Sequence, residues 1–293
     1  MDRYLETLEK YNTEIDDEVV RQEVEKILKN HIAENSNKEV YKQIFGFLDL
    51  TTLKTTDNDE SVAKLVQQVN AFENEFPDIN PVAGICIYPN FISTVRANLD
   101  VSDVNIVSVA CGFPSSQTYT EVKTIETGLA VHDGADEIDT VMSVGNFLAG
   151  NYEDMCDEIG EIKDACRGAK LKVILETGVL GNCSNIKKAS LLSIYAGADF
   201  IKTSTGKIAS GCTPEAVYVM CTAIKEYYDN SGTMIGIKPA GGIATTTDAV
   251  KYYTIVKEVL GEDWLTKDMF RIGAGNLANK LLSSILDTET DFF

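Results

Sequence analysis

A TIM (β/α)8 barrel preceded by a helical extension is the fold this sequence predicts, and three observations predict it. Eight strand-like runs alternate with eight helical patterns over about 245 residues, the size and order of such a barrel. Asp133-Gly134-Ala135-Asp136 and Ala196-Gly197-Ala198-Asp199 each place a glycine just past a helix and ahead of a strand, a weak echo of a βα repeat. No proline- or glycine-rich linker divides the chain. The rival architecture, an open doubly wound sheet, commonly has fewer strands and a switch point. The expected organisation is a helical extension over 1–41 and one barrel domain over 42–293.

Residues 1–41 are rich in Glu, Asp and Lys, with Val20, Val24, Ile27 and Leu28 at helical spacing. One or two amphipathic helices are expected there, with a break at Asn35-Ser36-Asn37. Strands are then expected at Ile44–Leu50, Val82–Tyr88, Asn105–Cys111, Glu137–Met142, Lys172–Thr177, Phe200–Thr203, Ile235–Lys238 and Met269–Ile272. Helical patterns lie near 59–74, 90–99, 119–132, 151–167, 184–196, 214–229, 246–260 and 276–286. Thr213-Pro214 reads as an N-cap followed by proline in the first turn.

Composition narrows the function. Hydrophobic residues make up 44% and charged residues 24% of the 293, normal for a soluble globular protein with a sizeable core. The net charge of −19 argues against nucleic acid or an anionic membrane as a partner, and no apolar run is long enough to span a bilayer. The charged start, Met1 to Lys10, lacks the apolar stretch of a signal peptide. The seven cysteines form no Cys-x-x-Cys pair, so reduced thiols in a cytoplasmic protein are expected. Two histidines, His31 and His132, cannot build a zinc site made mainly of imidazole. Acid–base work falls to carboxylates, lysines or tyrosines.

Barrel active sites lie at the carboxyl ends of the strands, where this chain concentrates charge. The sixth strand ends in Lys202, the seventh in Lys238; Asp49 ends the first, and Glu137 and Asp139 share one face of the fourth. On the fifth, Lys172 and Glu176 have the same parity. A lysine buried at a strand end loses basicity, and a second lysine in the same cavity lowers at least one pKa further, which suits a Schiff-base nucleophile. That reasoning leaves open which of Lys202 and Lys238 is the nucleophile. The loop Thr203-Ser204-Thr205-Gly206-Lys207, the pair Gly241-Gly242 and the turn Gly273-Ala274-Gly275-Asn276 suit an anion. Gly273-x-Gly275-x-x-Ala278 also fits a dinucleotide fingerprint, but too little chain follows to complete that unit.

From about Leu48 to Leu282 the chain resembles the class I deoxyribose-phosphate aldolases. The motifs are Leu48-Asp49-Leu50-Thr51-Thr52-Leu53, Ala83-Gly84-Ile85-Cys86-Ile87-Tyr88-Pro89, Gly134-Ala135-Asp136-Glu137-Ile138-Asp139, Gly197 through Lys207, and Lys238-Pro239-Ala240-Gly241-Gly242. The resemblance implies reversible cleavage of 2-deoxy-D-ribose 5-phosphate into acetaldehyde and D-glyceraldehyde 3-phosphate through a Schiff base, with no metal or cofactor. It assigns the Schiff base to Lys202, the lowering of its pKa to Lys238 and a proton relay to Asp139. Gly206, Lys207, Gly241 and Gly242 would contact phosphate, with Gly275 and Asn276 beside them, and Asp49 and Thr205 would line the substrate end. A homodimer is the assembly it suggests. Two departures stand out: related sequences often carry Ser-Ser where Gly275-Asn276 stands, and some end in a tyrosine where this chain ends Asp291-Phe292-Phe293. The first removes hydroxyl contacts to phosphate and the second a phenol.

Overall fold

The computed structural model describes residues 3–209 and 211–293, so Met1 and Asp2 of the expected extension lie outside it. Three helices come first: α1 (Arg3–Leu8), α2 (Asp17–His31) and α3 (Lys38–Gly46). Asp16 caps α2 by accepting from the backbone N–H groups of Glu18 and Val19, and Asn37 caps α3 through Val40 N–H. The break expected at 35–37 is thus a cap, while the boundary expected at 41/42 falls inside α3.

The chain then alternates through β1 (Leu48–Thr51), α4 (Asp59–Glu75), β2 (Gly84–Ile87), α5 (Ile92–Asn98), β3 (Asn105–Ala110), α6 (Thr120–His132) and β4 (Glu137–Val141). After β4 come α7 (Val144–Leu148), α8 (Tyr152–Cys166), β5 (Lys170–Ile174), α9 (Cys183–Tyr195) and β6 (Phe200–Lys202). The last elements are α10 (Pro214–Ser231), β7 (Gly236–Lys238), α11 (Thr246–Leu260), β8 (Ile272–Ala274) and α12 (Leu277–Leu286). All strands pair in parallel in the order β7-β6-β5-β4-β3-β2-β1-β8. Parallel bridges Ile237↔Phe270 and Ala240↔Gly273 join the two ends, which closes the barrel.

Three expected strands sit differently. Ile44 to Gly46 form the last turn of α3, and their side chains serve helix packing, which a short apolar run cannot distinguish from a strand. β5 starts at Lys170 and ends at Ile174; Glu176 lies beyond it in the left-handed region, with φ 55°. At the end of the chain, Met269 and Arg271 bond to Ile237 of β7, and the run from Ile272 pairs with β1. The extended stretch is therefore longer than expected and is shared between two neighbours. The short helix α7 was not foreseen.

The two faces of the strands have different fillings. Ile85, Ile106, Ile138, Leu171, Ile201 and Ile237 are buried in the apolar layer under the helices. The interior instead holds Asp49, Glu137, Asp139, Lys172, Lys202, Lys238 and Arg271, all buried. Below them Phe200 fills the barrel over Gly236, its register partner on β7. The tail packs outside, where Phe292 and Phe293 join Phe72 and Phe76, with Phe45 against Phe293. Asn279 of α12 accepts from the backbone N–H groups of Phe292 and Phe293, both at 3.0 Å. Among the described residues, no helix is long and apolar enough to cross a membrane.

A methyl group on Gly236 would collide with the Phe200 ring, which has no free end to swing aside. Gly236→Ala is expected to lower unfolding stability by about 1–3 kcal/mol, read as a lower urea midpoint. An unchanged midpoint would show that the ring does not rest on this strand.

Candidate active site

Strand register sets the centre of the barrel. Asp139 of β4 lies opposite Lys172 of β5, and Lys202 of β6 lies opposite Lys238 of β7. The Lys202 and Lys238 ammonium nitrogens each stand 2.7 Å from the same oxygen of Asp139, Oδ2. Its other oxygen, Oδ1, accepts from Lys172 at 3.0 Å. Lys238 is also 2.5 Å from Asp49 Oδ2, and Arg271 bridges Asp49 Oδ1 at 2.6 Å and Glu137 Oε1 at 2.8 Å. Lys172 completes the ring by pairing with Glu137.

The network contains Asp49, Glu137 and Asp139 against Lys172, Lys202, Lys238 and Arg271, three acids and four bases. Fully ionised, it would carry one uncompensated positive charge in a buried site, where an unbalanced charge is costly. The base that gives up its proton most readily is Lys202. Burial is the largest influence on its amine and pushes its pKa down; the charge on Lys238 adds to this, and Asp139 opposes both. Burial also acts against the charge on Lys238, but Asp139 and Asp49 outweigh it and raise its pKa. Lys172 is raised in the same way by Asp139, Glu137 and Asp49 against burial. On Asp139, burial works toward protonation, and the three lysines overcome it and hold the carboxyl well below its ordinary value.

Geometry separates the two lysines that sequence reasoning left equivalent. Lys202 is the member of the network that lines a pocket of about 380 Å3 at the carboxyl ends of the strands. Lys238 is sealed beneath it. Thr205, Gly206, Lys207, Gly241, Gly242, Gly275 and Asn276 all line this pocket, as do Leu53, Lys54 and Ala274. Asp139, Lys238 and Asp49 lie below its floor. Asp49, expected to line the substrate end, is fully buried beneath the pocket and paired with Lys238 and Arg271.

The mouth is built largely from backbone. Gly206 and Gly241 hold φ of 74° and 91°, and a Cβ on Gly241 would come within 3.3 Å of Ser204 Cβ and 3.4 Å of Gly206 Cα. These two loops therefore need glycine to approach each other. Asn276 precedes α12 without capping it through its side chain, so the first N–H groups of that helix remain for an anion. Glu176, expected on the fifth strand beside Lys172, instead braces the sixth-strand loop. Its carboxylate accepts from Thr205 N–H at 3.1 Å and Thr205 Oγ1 at 2.6 Å.

Sequence reasoning missed Arg271, although an arginine inside the otherwise apolar run Met269–Ile272 was a usable signal. It also passed over Lys54, which no strand pattern marks. The tail residues, by contrast, take no part in the pocket lining.

Comparison with known proteins identifies the family. The family described as DeoC/LacD family aldolase matches residues 44–258. The chain belongs to the DeoC/LacD aldolase family. It is 39% identical to the deoxyribose-phosphate aldolase of Mus musculus over 246 residues, 80% of this chain and 77% of that one. Identity to the Homo sapiens protein of the same name is 39% over 245 residues, again 80% and 77%. Among solved structures, the tetrameric deoxyribose phosphate aldolase of Aeropyrum pernix superposes with a TM-score of 0.67 at 26% identity, covering 88% of this chain and 96% of that one. An aldolase named QR15 gives 0.68 at 29% identity, covering 83% and 98%.

Replacing Lys238 by methionine leaves three acids facing three bases, so Lys202 should then hold its proton. The alkaline-rising limb of kcat/KM is expected to move to higher pH by one to two units, with a loss of about 10- to 100-fold at neutral pH. A limb that stays in place or moves down would overturn the charge-balance account.

Proposed function

We propose that this aldolase is a class I deoxyribose-phosphate aldolase, cleaving 2-deoxy-D-ribose 5-phosphate reversibly into acetaldehyde and D-glyceraldehyde 3-phosphate. One observation carries the reading: two lysines share a single carboxylate oxygen, and the one with the depressed pKa faces an acid-free pocket rimmed by anion-binding turns. The names of the mouse and human relatives supply the substrate.

In this mechanism the neutral amine of Lys202 attacks C1 of the open-chain sugar, and loss of water gives an iminium ion. Lys238, charged and hydrogen-bonded to the same oxygen of Asp139, supplies the proton that leaves with the departing hydroxyl, passed up through Asp139 and bound water. The positive iminium then stands where the protonated amine would have stood, beside the Asp139 carboxylate. A two-carbon product fixes the broken bond as C2–C3. The C3 hydroxyl passes its proton through bound water and Asp139 to the now neutral Lys238 as C3 becomes an aldehyde. The C2–C3 electrons flow into the iminium to give an enamine, to whose C2 that proton later returns. Protonation at C2 and addition of water then release acetaldehyde and regenerate the amine.

Asp139 has a particular place in this scheme. With its pKa well below the ordinary value and both oxygens taken by lysines, it is a poor base on its own. Its part is to stabilise cationic intermediates and pass protons between lysines and bound water. Phosphate would settle against the N–H groups around Gly206, Gly241, Gly242 and Gly275, and the first turn of α12.

Acetaldehyde with borohydride is expected to leave a two-carbon adduct on Lys202, mapped by mass spectrometry. Lys202→Met should abolish both the adduct and cleavage, with the fold intact by circular dichroism. An adduct on Lys238, or cleavage at the wild-type rate by Lys202→Met, would sink the mechanism.

A further inference from the structure

We propose that Lys54, on the loop between β1 and α4, is a ligand for the substrate phosphate and sets the preference for phosphorylated over free aldehydes. This inference rests on the phosphosugar reading above and deepens it.

The first support is electrostatic. The chain carries 45 acidic against 26 basic residues, yet the pocket lining contains Lys54, Lys202 and Lys207 and no Asp or Glu. Lys54 has no ion-pair partner among the described residues, a state it shares with the exposed Lys29, Lys64 and Lys280, but of these four it alone lines the pocket. The carboxylate of its own loop, Asp57, accepts instead from Lys54 N–H and Thr52 Oγ1, both at 2.8 Å. That bracing holds the Lys54 backbone at the pocket edge and leaves the ammonium for something else.

The second support is the position of the other rim cation. Lys207 reaches across the mouth, and its ammonium donates to the carbonyl of Leu53, the residue before Lys54. The sixth-strand loop is thereby tied to the first-strand loop, which brings Lys54 and Lys207 to one side of the pocket. The glycine turns Gly241-Gly242 and Gly275-Asn276 line the same pocket. A phosphate lodged on those backbone N–H groups shares the pocket with both lysines, and a dianion suits two cations. Lys202, the third lysine, stands deeper in the pocket and is committed to Asp139.

The role is one of binding, so it separates from chemistry in kinetics. Lys54→Met should raise KM for deoxyribose 5-phosphate by about 5- to 20-fold, with kcat held within about twofold. The inhibition constant for inorganic phosphate should rise with it, kcat/KM for free deoxyribose should stay level, and Lys54→Arg should restore most of the loss. A phosphosugar KM and phosphate inhibition unchanged in Lys54→Met would overturn the inference while leaving the aldolase reading intact. Equal losses on phosphorylated and free sugar would also overturn it, by showing that Lys54 supports the loop rather than the phosphate. If the wild-type enzyme forms the Lys202 adduct yet shows no preference for the phosphorylated sugar, the phosphosugar reading fails and the role of Lys54 fails with it.

Discussion

The Asp139 carboxylate is the constraint on which the centre of this barrel depends. One of its oxygens holds two lysines at 2.7 Å and the other holds a third at 3.0 Å. Without it those lysines would face one another in a buried space, where like charges and desolvation act together. With it, three of the four bases in the network are compensated, and the surplus falls on the lysine nearest the pocket. Such a network is weak evidence for stability, because a well-packed apolar interior is often as stable or more so. In the proposed mechanism its value lies in reactivity: it leaves the pKa of one amine pushed down while those of its neighbours are raised.

The barrel makes this possible by closing. Arg271 and Asp49 lie at opposite ends of the chain's strand sequence, and only pairing of β1 with β8 puts them 2.6 Å apart. Above the network, the mouth changes chemical character from ionic side chains to glycine backbone and helix termini. In the proposed mechanism carbon chemistry occupies the floor and anion binding the rim, within one pocket. A protein with a net charge of −19 can take an anionic substrate because its acids are either outside the pocket or sealed below it in ion pairs.

Much of this was legible beforehand, since it depended on local pattern. Strand–helix alternation, the break at 35–37, the cap at Thr213 and the collection of charge at strand ends are short-range signals. The boundaries that slipped did so for identifiable reasons. Ile44 and Phe45 are as apolar as any strand residue, and only packing against neighbouring helices shows that they belong to α3. Glu176 has the parity of an inward strand residue, but its left-handed backbone ends the strand and turns its carboxylate to Thr205. The tail shows no pattern at all, and its place beside Phe72 and Phe76 comes from aromatic packing and the Asn279 contacts.

By itself the sequence determined the barrel, the cast of charged residues and the pairing of a lysine-bearing strand with glycine-rich turns, because periodicity and residue type are written along the chain. Only the tertiary structure decided which lysine keeps its proton. That outcome depends on a count of three acids against four bases drawn from five strands and the segment leading into β8, and on which ammonium opens to the pocket. It likewise set Asp49 beneath the pocket against Lys238 and Arg271, and brought Lys54 to the rim. Charge balance and burial are properties of an assembled volume, and no linear spacing contains them.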